Sequence, residues 1–388
     1  MNILIVNRAL GTLFGGGESF DANAARHLQQ RGHQVTLLTG RPIWMRPKNT
    51  FPELNVVYLR SPELRRFAYA TEKLHSKISA AFYHLDNLLF EESVCRWIAK
   101  QPRGRFDVVQ CCSLFRLPAW LLKYCDQPTV SWLPGPPSGV IRRQLPSLCR
   151  HNNFGLFTHG SPAWSLDKMG FDRDKEYTVI EPGVELAIID AVEVDRCAVR
   201  TALGIGSDTF LGVTTARLVP VKNHSLLLEA IATAKSRGII WHWLIIGNGP
   251  LEQSLKILTE SLGIAAQVHF LGYQPQAEVH RWLGAADLFA LTSSYENFSI
   301  ATLEAMAHRL PVIGTQVGYL QHLISDTGAG RVVPPDQPEL LADALTEMAD
   351  LQIRQQLGAN GRAFAERLDW PMIAAKLESC YQRAIAGE

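Results

Sequence analysis

Two cations and two carboxylates stand at spacings that suit an anionic, hydroxyl-rich ligand. In Ala216-Arg217-Leu-Val-Pro-Val-Lys222-Asn223-His224 the cations lie five residues apart, bordering a helix start that Asn223 is placed to cap. A planar guanidinium fork and a flexible ammonium together make a diphosphate clamp. The plain alternative is two solvated loop charges. Glu296 and Glu304 lie eight residues apart in Glu296-Asn-Phe-Ser-Ile-Ala-Thr-Leu-Glu304. A carboxylate accepts well from the paired hydroxyls of a ribose or hexose. Asn297 to Ser299 lead into a helix whose expected buried stripe is Ile300, Leu303, Met306 and Ala307. Here the plain alternative is an acid favoured by the helix dipole plus a surface glutamate.

Glycines supply a second signal. Gly15-Gly16-Gly17-Glu18 falls where a first strand hands over to a first helix, and glycine lets backbone approach a bound anion there. It is not the dinucleotide fingerprint, because Asn7 to Phe14 intervene after the strand, and Gly247-Asn-Gly249-Pro-Leu-Glu252 lacks the third glycine. Asp172-Arg-Asp174 has the spacing of a metal-binding pair but no evident third ligand, so a polar turn is the better reading.

The elements that must hold these residues alternate. Asn2 to Val6 reads as an apolar strand, Glu18 to Arg31 as a helix with Phe20, Ala24, His27 and Leu28 at helical steps, and Gln34 to Thr39 as the next strand. Further strands are expected at 56–59, 107–111, 129–133, 154–158 and 178–180. After a break over 181–195 the pattern restarts: strands at 210–214, 239–246, 268–271, 288–292, 311–314 and 330–333, with a helix over 224–237. The alternation predicts two doubly wound α/β domains. Two segments stand apart. Residues 63–100 read as an amphipathic helix with Leu64, Phe67, Thr71, Leu74, Ile78, Phe82, Leu85 and Leu89 on its apolar face. Arg65, Arg66, Lys73 and Lys77 lie among them, a pattern that also suits peripheral contact with a membrane surface. Packing on its own sheet is the plainer reading. Trp370 to Ile385 reads as a closing helix with Ile373, Leu377, Cys380, Tyr381 and Ile385 on one face.

Composition narrows the function classes. At roughly 150 residues per domain, 388 residues predict two or three. Lys plus Arg number 38 against 37 acids, which argues against a nucleic-acid partner. No apolar run reaches about 18 residues, and Met1 to Asn7 lacks a basic leader, so a cytoplasmic location is expected. Cys95, Cys111, Cys112, Cys125, Cys149, Cys197 and Cys380 form no C-x-x-C pair and read as free thiols of a reducing compartment.

Taken in order, the segments resemble retaining glycosyltransferases of family 4 (glycosyl transferases group 1). The matching pieces are the Gly15–Glu18 loop, GHQVTLLTG at 32–40, VIEPGVE at 179–185, ARLVPVKN at 216–223, LIIGNGP at 244–250, FLGY at 270–273, ADLFALTSSYENFSIATLEAMA at 286–307 and PVIGT at 311–315. The resemblance implies the GT-B fold: two Rossmann-like domains facing a cleft, with a C-terminal helix crossing back. The implied division is 1–181 with 371–388 for the acceptor and 182–370 for a nucleotide-diphospho-sugar, most simply a UDP-sugar. It also implies roles. Arg217 and Lys222 would hold the diphosphate, Glu304 the ribose, and Glu296 with Asn297, Phe298 and Ser299 the sugar or its phosphate. Gly16, Gly17, Gly247 and Tyr273 would complete the donor site. No metal or other cofactor is implied, because fixed cations take that place.

The chain departs from the family's pattern twice. Pro134-Gly-Pro-Pro-Ser138 follows the strand at 129–133, with no histidine from 128 to 150, where many relatives place one near the acceptor. Pro134, Gly135, Arg142 and Arg143 are therefore the candidate acceptor contacts. After PVIGT the family's glycine pair is replaced by Gly318-Tyr-Leu-Gln-His322. The expected activity is hexosyl transfer with retention to a hydroxyl of a sugar, sugar phosphate, polysaccharide or lipid. The alternatives are a silent sugar-nucleotide-binding protein and, more remotely, a nicotinamide oxidoreductase.

Overall fold

Ile3 to Val6 is buried throughout, as a strand covered on both faces must be, and its unbroken apolar run is the sequence form of that burial. A computed structural model of the chain describes residues 1–8, 10, 16–42, 51–62, 64, 76–113, 116–137, 139–206 and 209–388. The chain divides into two units: Met1–Pro182 with Trp370–Glu388, and Gly183–Asp369.

In the first unit the strands are β1 (Asn2–Val6), β2 (Gln34–Pro42), β3 (Asn55–Ser61), β4 (Val108–Cys112), β5 (Thr129–Leu133), β6 (Phe154–Thr158) and β7 (Thr178–Val179). They form one parallel sheet in the order β3-β2-β1-β4-β5-β6-β7. The second unit has β8 (Phe210–Thr215), β9 (Trp241–Ile246), β10 (Val268–Gly272), β11 (Leu288–Leu291), β12 (Val312–Thr315) and β13 (Gly330–Val333), parallel in the order β10-β9-β8-β11-β12-β13. Both orders reverse direction beside the first strand of the unit, at β1/β4 and at β8/β11. In doubly wound sheets ligands bind outside the carboxyl ends of the strands at such a reversal.

The helix expected from Glu18 begins two residues earlier, as Gly16–Gln30, and Gly32 with φ +88° ends it. The helix Trp370–Ala386 packs within the first unit: Trp370 lies 5.4 Å from the Phe20 ring and stacks on His27, and the Tyr381 hydroxyl donates to Gln110 Oε1 at 2.5 Å. Ala384 takes the buried position expected of Ile385, which is exposed.

The region 63–100 departs furthest from expectation. A helix runs over Ser76–Ala99, and Phe67, Thr71, Leu74, Arg65, Arg66 and Lys73 lie outside the described residues. Within the helix Leu85 and Leu89 are exposed, whereas Asp86, Asn87, Phe90, Glu91 and Val94 are buried. The reason is electrostatic. Arg8 at the end of β1 needs a buried counter-ion, and Asp86 supplies it at 2.9 Å while also accepting from the Leu64 amide. Glu91 Oε2 accepts from the amides of Arg116 and Leu117, satisfying the free N–H groups that open the helix Leu117–Trp120. A hydropathy pattern cannot see partners so distant in sequence, so the expected apolar stripe lies one step off the buried face.

Candidate functional site

The loop leaving β8 is held by backbone. Ala216 donates to Ile246 O at 3.0 Å and Leu218 to Asn248 O at 2.9 Å. Gly247, at φ +137°, approaches so closely that a Cβ would stand 2.0 Å from Ala216 O. Gly247 therefore serves the loop that presents Arg217, which is exposed at its tip. Pro220–Lys222 then forms a tight turn, and Asn223 follows at φ +44°. The expected Asn223 cap does not form. In the left-handed region the backbone lacks the extended geometry of a capping residue, and the side chain instead bonds Ser225 Oγ at 2.9 Å and Asp336 Oδ1 at 3.3 Å.

The loop leaving β11 is stitched to that turn. Thr292 Oγ1 donates to Asn223 O at 2.9 Å and the Ser294 amide to Val221 O at 2.8 Å. This brings Glu296 onto Lys222: the ammonium donates to Glu296 Oε1, which also accepts from Ser293 Oγ at 2.7 Å. Glu296 is buried, and an ionised carboxylate there needs such partners. Asn297 Oδ1 accepts from the Tyr295 hydroxyl at 2.7 Å, and Phe298 is buried. Ser299, at φ +78°, opens the helix Ile300–Ala307 and accepts from the Thr302 amide at 3.3 Å. A serine held at positive φ stores strain of the kind found at functional sites. Of the expected stripe, Leu303, Met306 and Ala307 are buried and Ile300 is half-buried.

Glu304 belongs to a second group on the same helix. Its carboxyl accepts from Gln276 Nε2 at 2.6 Å, across from the helix Gln276–Ala285. The residue as a whole is half-buried, yet enough protein surrounds the carboxyl that burial pushes it up to about 7, with the Gln276 bond acting in the opposite direction. One turn on, His308 Nε2 meets His280 Nδ1 at 3.1 Å, and burial pushes His308 down to about 4. Burial, and then the Lys222 charge, does the same to His224.

The structure thus brings Lys222 and Glu296 into contact, with Arg217 on the exposed flank of the same loop and Glu304 in the second turn of the helix Ile300–Ala307. Tyr273 follows β10 and is 72% exposed. Gly16 and Gly17 are the first residues of a helix in the first unit. There too, Pro134 and Gly135 are half-buried after β5, and Arg142 and Arg143 are exposed on the helix Gly139–Leu148. Asp172 is engaged by Lys175 at 2.7 Å. Sequence reasoning missed Ser293 and Gln276, the partners of the two carboxylates. Gln276 lies 28 residues from Glu304, and only the pairing of neighbouring helices reveals it.

Two Rossmann-type parallel sheets, one in each unit, are the elements of the GT-B fold. Residues 195–364, a segment that lies wholly in the second unit, match the family described as Glycosyl transferases group 1. A D-inositol 3-phosphate glycosyltransferase of Jonesia denitrificans is 29% identical over 215 residues, 53% of this chain and 51% of the relative. The chain spans about half the length of the curated relatives it matches. The fold is shared end to end with a sucrose-phosphate synthase from Thermosynechococcus elongatus (TM-score 0.75, 17% identity, 100% of both chains). It is shared also with Anabaena HepE in complex with UDP-glucose (TM-score 0.72, 18% identity, 98% of both chains). Among the described residues no helix is long and apolar enough to cross a membrane.

Proposed function

We propose that the chain is a retaining glycosyltransferase that moves a hexose from a nucleotide-diphospho-sugar, most simply a UDP-sugar, to a hydroxyl acceptor. The observation that carries this is the contact of Lys222 with Glu296 at the β8/β11 reversal, beside an exposed Arg217. An ammonium has three donors, and Glu296 uses one, so Lys222 can meet a phosphate oxygen without leaving its partner. Arg217 offers the planar fork that grips a second phosphate. Glu304 accepts from the ribose hydroxyls, which is consistent with a carboxyl tuned toward neutral pH, because the diol favours its charged form. Glu296 and the amides of Asn297 to Ser299 face the sugar or its phosphate. In the transfer step the acceptor oxygen bonds to the anomeric carbon as the bond from that carbon to the diphosphate breaks, and the acceptor proton passes to the departing diphosphate. The fixed cations offset the charge that grows there, so turnover should survive exhaustive chelation. Pro134, Gly135, Arg142 and Arg143, in the first unit, are assigned to the acceptor, and Gly247 and Tyr273, in the second, to the donor. The D-inositol 3-phosphate glycosyltransferases, similar in sequence, support glycosyl transfer, and HepE in complex with UDP-glucose, similar in fold, supports a nucleotide sugar as donor.

Titration calorimetry with UDP tests the donor assignment. Binding is expected, and it should weaken as pH falls below about 7, where Glu304 takes up its proton. Absence of UDP binding at any pH would overturn the reading.

A further inference from the structure

The loop after β12 brings an aromatic residue to the same place. Tyr319 donates its amide to Glu296 O at 3.2 Å, so its backbone is fixed to the residue that meets Lys222. Its ring stacks on Phe298 with centroids 5.7 Å apart and planes 19° from parallel. Phe298 is 2% exposed, so it forms a rigid backing, whereas Tyr319 is half-buried and reachable. A third ring, His322, follows at 6.4 Å. The Thr315 hydroxyl donates to Ser293 O and so joins the end of β12 to the loop that carries Glu296.

We infer that Tyr319 is a specificity-determining residue of the donor-sugar position, a fixed wall that admits an unsubstituted hexose and excludes one carrying an N-acyl group. This rests on the donor reading above. A ring held at its back by a buried phenylalanine and along its backbone by Glu296 cannot retreat from a larger sugar. Its flat face suits the C–H face of a pyranose. In a flexible pocket an added acyl group would be accommodated by a side-chain shift; here that shift breaks the stack on Phe298, and the backbone hydrogen bond to Glu296 keeps the main chain from following. A pocket distinguishes ligands by about 10–200-fold on such shape differences.

Calorimetry with UDP, UDP-glucose and UDP-N-acetylglucosamine tests this without an acceptor. The wild-type chain is expected to bind UDP-glucose at least about tenfold more tightly than UDP-N-acetylglucosamine. Tyr319→Ala should shrink that ratio about tenfold while leaving the affinity for UDP itself unchanged. Tyr319→Phe, which keeps the ring, should preserve the ratio and so controls for a misfolded alanine variant. UDP binding with an unchanged ratio in Tyr319→Ala, or a wild-type preference for the N-acyl sugar, overturns this inference and leaves the donor reading standing. Failure of the wild-type chain to bind UDP overturns both.

Discussion

The two units place a basic residue just after the first strand of sheets with the same reversal, and then treat it in opposite ways. In the first unit Arg8 runs into the protein. It is 3% exposed, pairs with Asp86, donates to Ser61 Oγ at 2.8 Å and lies 5.2 Å over the Phe90 ring. Gly40 makes room for it: a Cβ there would stand 2.2 Å from the guanidinium. In the second unit Arg217 remains exposed, and Lys222, though paired with Glu296, keeps donors to spare. The same topological position therefore yields a structural rivet in one sheet and a candidate anion clamp in the other. Position at a reversal is permissive. The difference lies in whether the protein supplies the charge with enough partners of its own.

That contrast can be broken experimentally, and the largest effect should come from the rivet. Asp86→Asn leaves Arg8 buried without its counter-ion, which costs on the order of 3–5 kcal/mol. A urea midpoint that hardly moves would show that Arg8 finds solvent after all. Folding of the second unit, followed separately by its own probe, should be unaffected.

The clamp should behave in the opposite manner. Arg217→Ala and Lys222→Ala should each lower kcat by about 10²–10³, or about 2.7–4 kcal/mol, because the charge they offset develops in the transition state. Arg217→Ala should cost about 1 kcal/mol or less in stability, since Arg217 is exposed, whereas Lys222→Ala should cost more, because it strips the buried Glu296 of its counter-ion. Arg217→Lys should recover only part of the loss, since the planar fork is not replaced. Steady-state kinetics showing near-normal kcat in both alanine variants would reduce the clamp to solvated loop charges.

A smaller effect sharpens the comparison from the side of Glu304. Its folded-state pKa of about 7 lies above the ordinary 4.5, so the folded chain holds an extra proton between these values. Stability contributed by this residue is therefore lost as pH rises from about 4.5 through 7. Glu304→Gln should match the parent at low pH and exceed it above pH 7. At about 2–4 °C per kcal/mol for a unit of this size, thermal melts at pH 5 and pH 8 resolve the difference. The same variant should bind UDP more weakly at pH 8. A variant that gains no stability at high pH would show that the carboxyl is solvated.

Much of the architecture was legible before any coordinates. Buried parallel strands are near-continuous apolar runs, so β1, β5 and β6 could be read almost residue for residue. The chemistry-bearing types were legible as well, because Arg217, Lys222, Glu296 and Glu304 stand in short segments whose spacing is local. Which of them touch was not. Lys222 and Glu296 are 74 residues apart, Arg8 and Asp86 are 78, and their meetings depend on how strands order themselves in a sheet. Polar burial was misjudged for the same reason. Hydropathy assigns Asp86 and Glu91 to solvent, and only a partner arriving from another element makes their burial favourable. Local sequence thus determined the elements and the inventory of reactive groups. Tertiary structure alone decided which charges are spent inside the protein and which remain for a ligand, because that outcome turns on distances between residues that are neighbours only after folding.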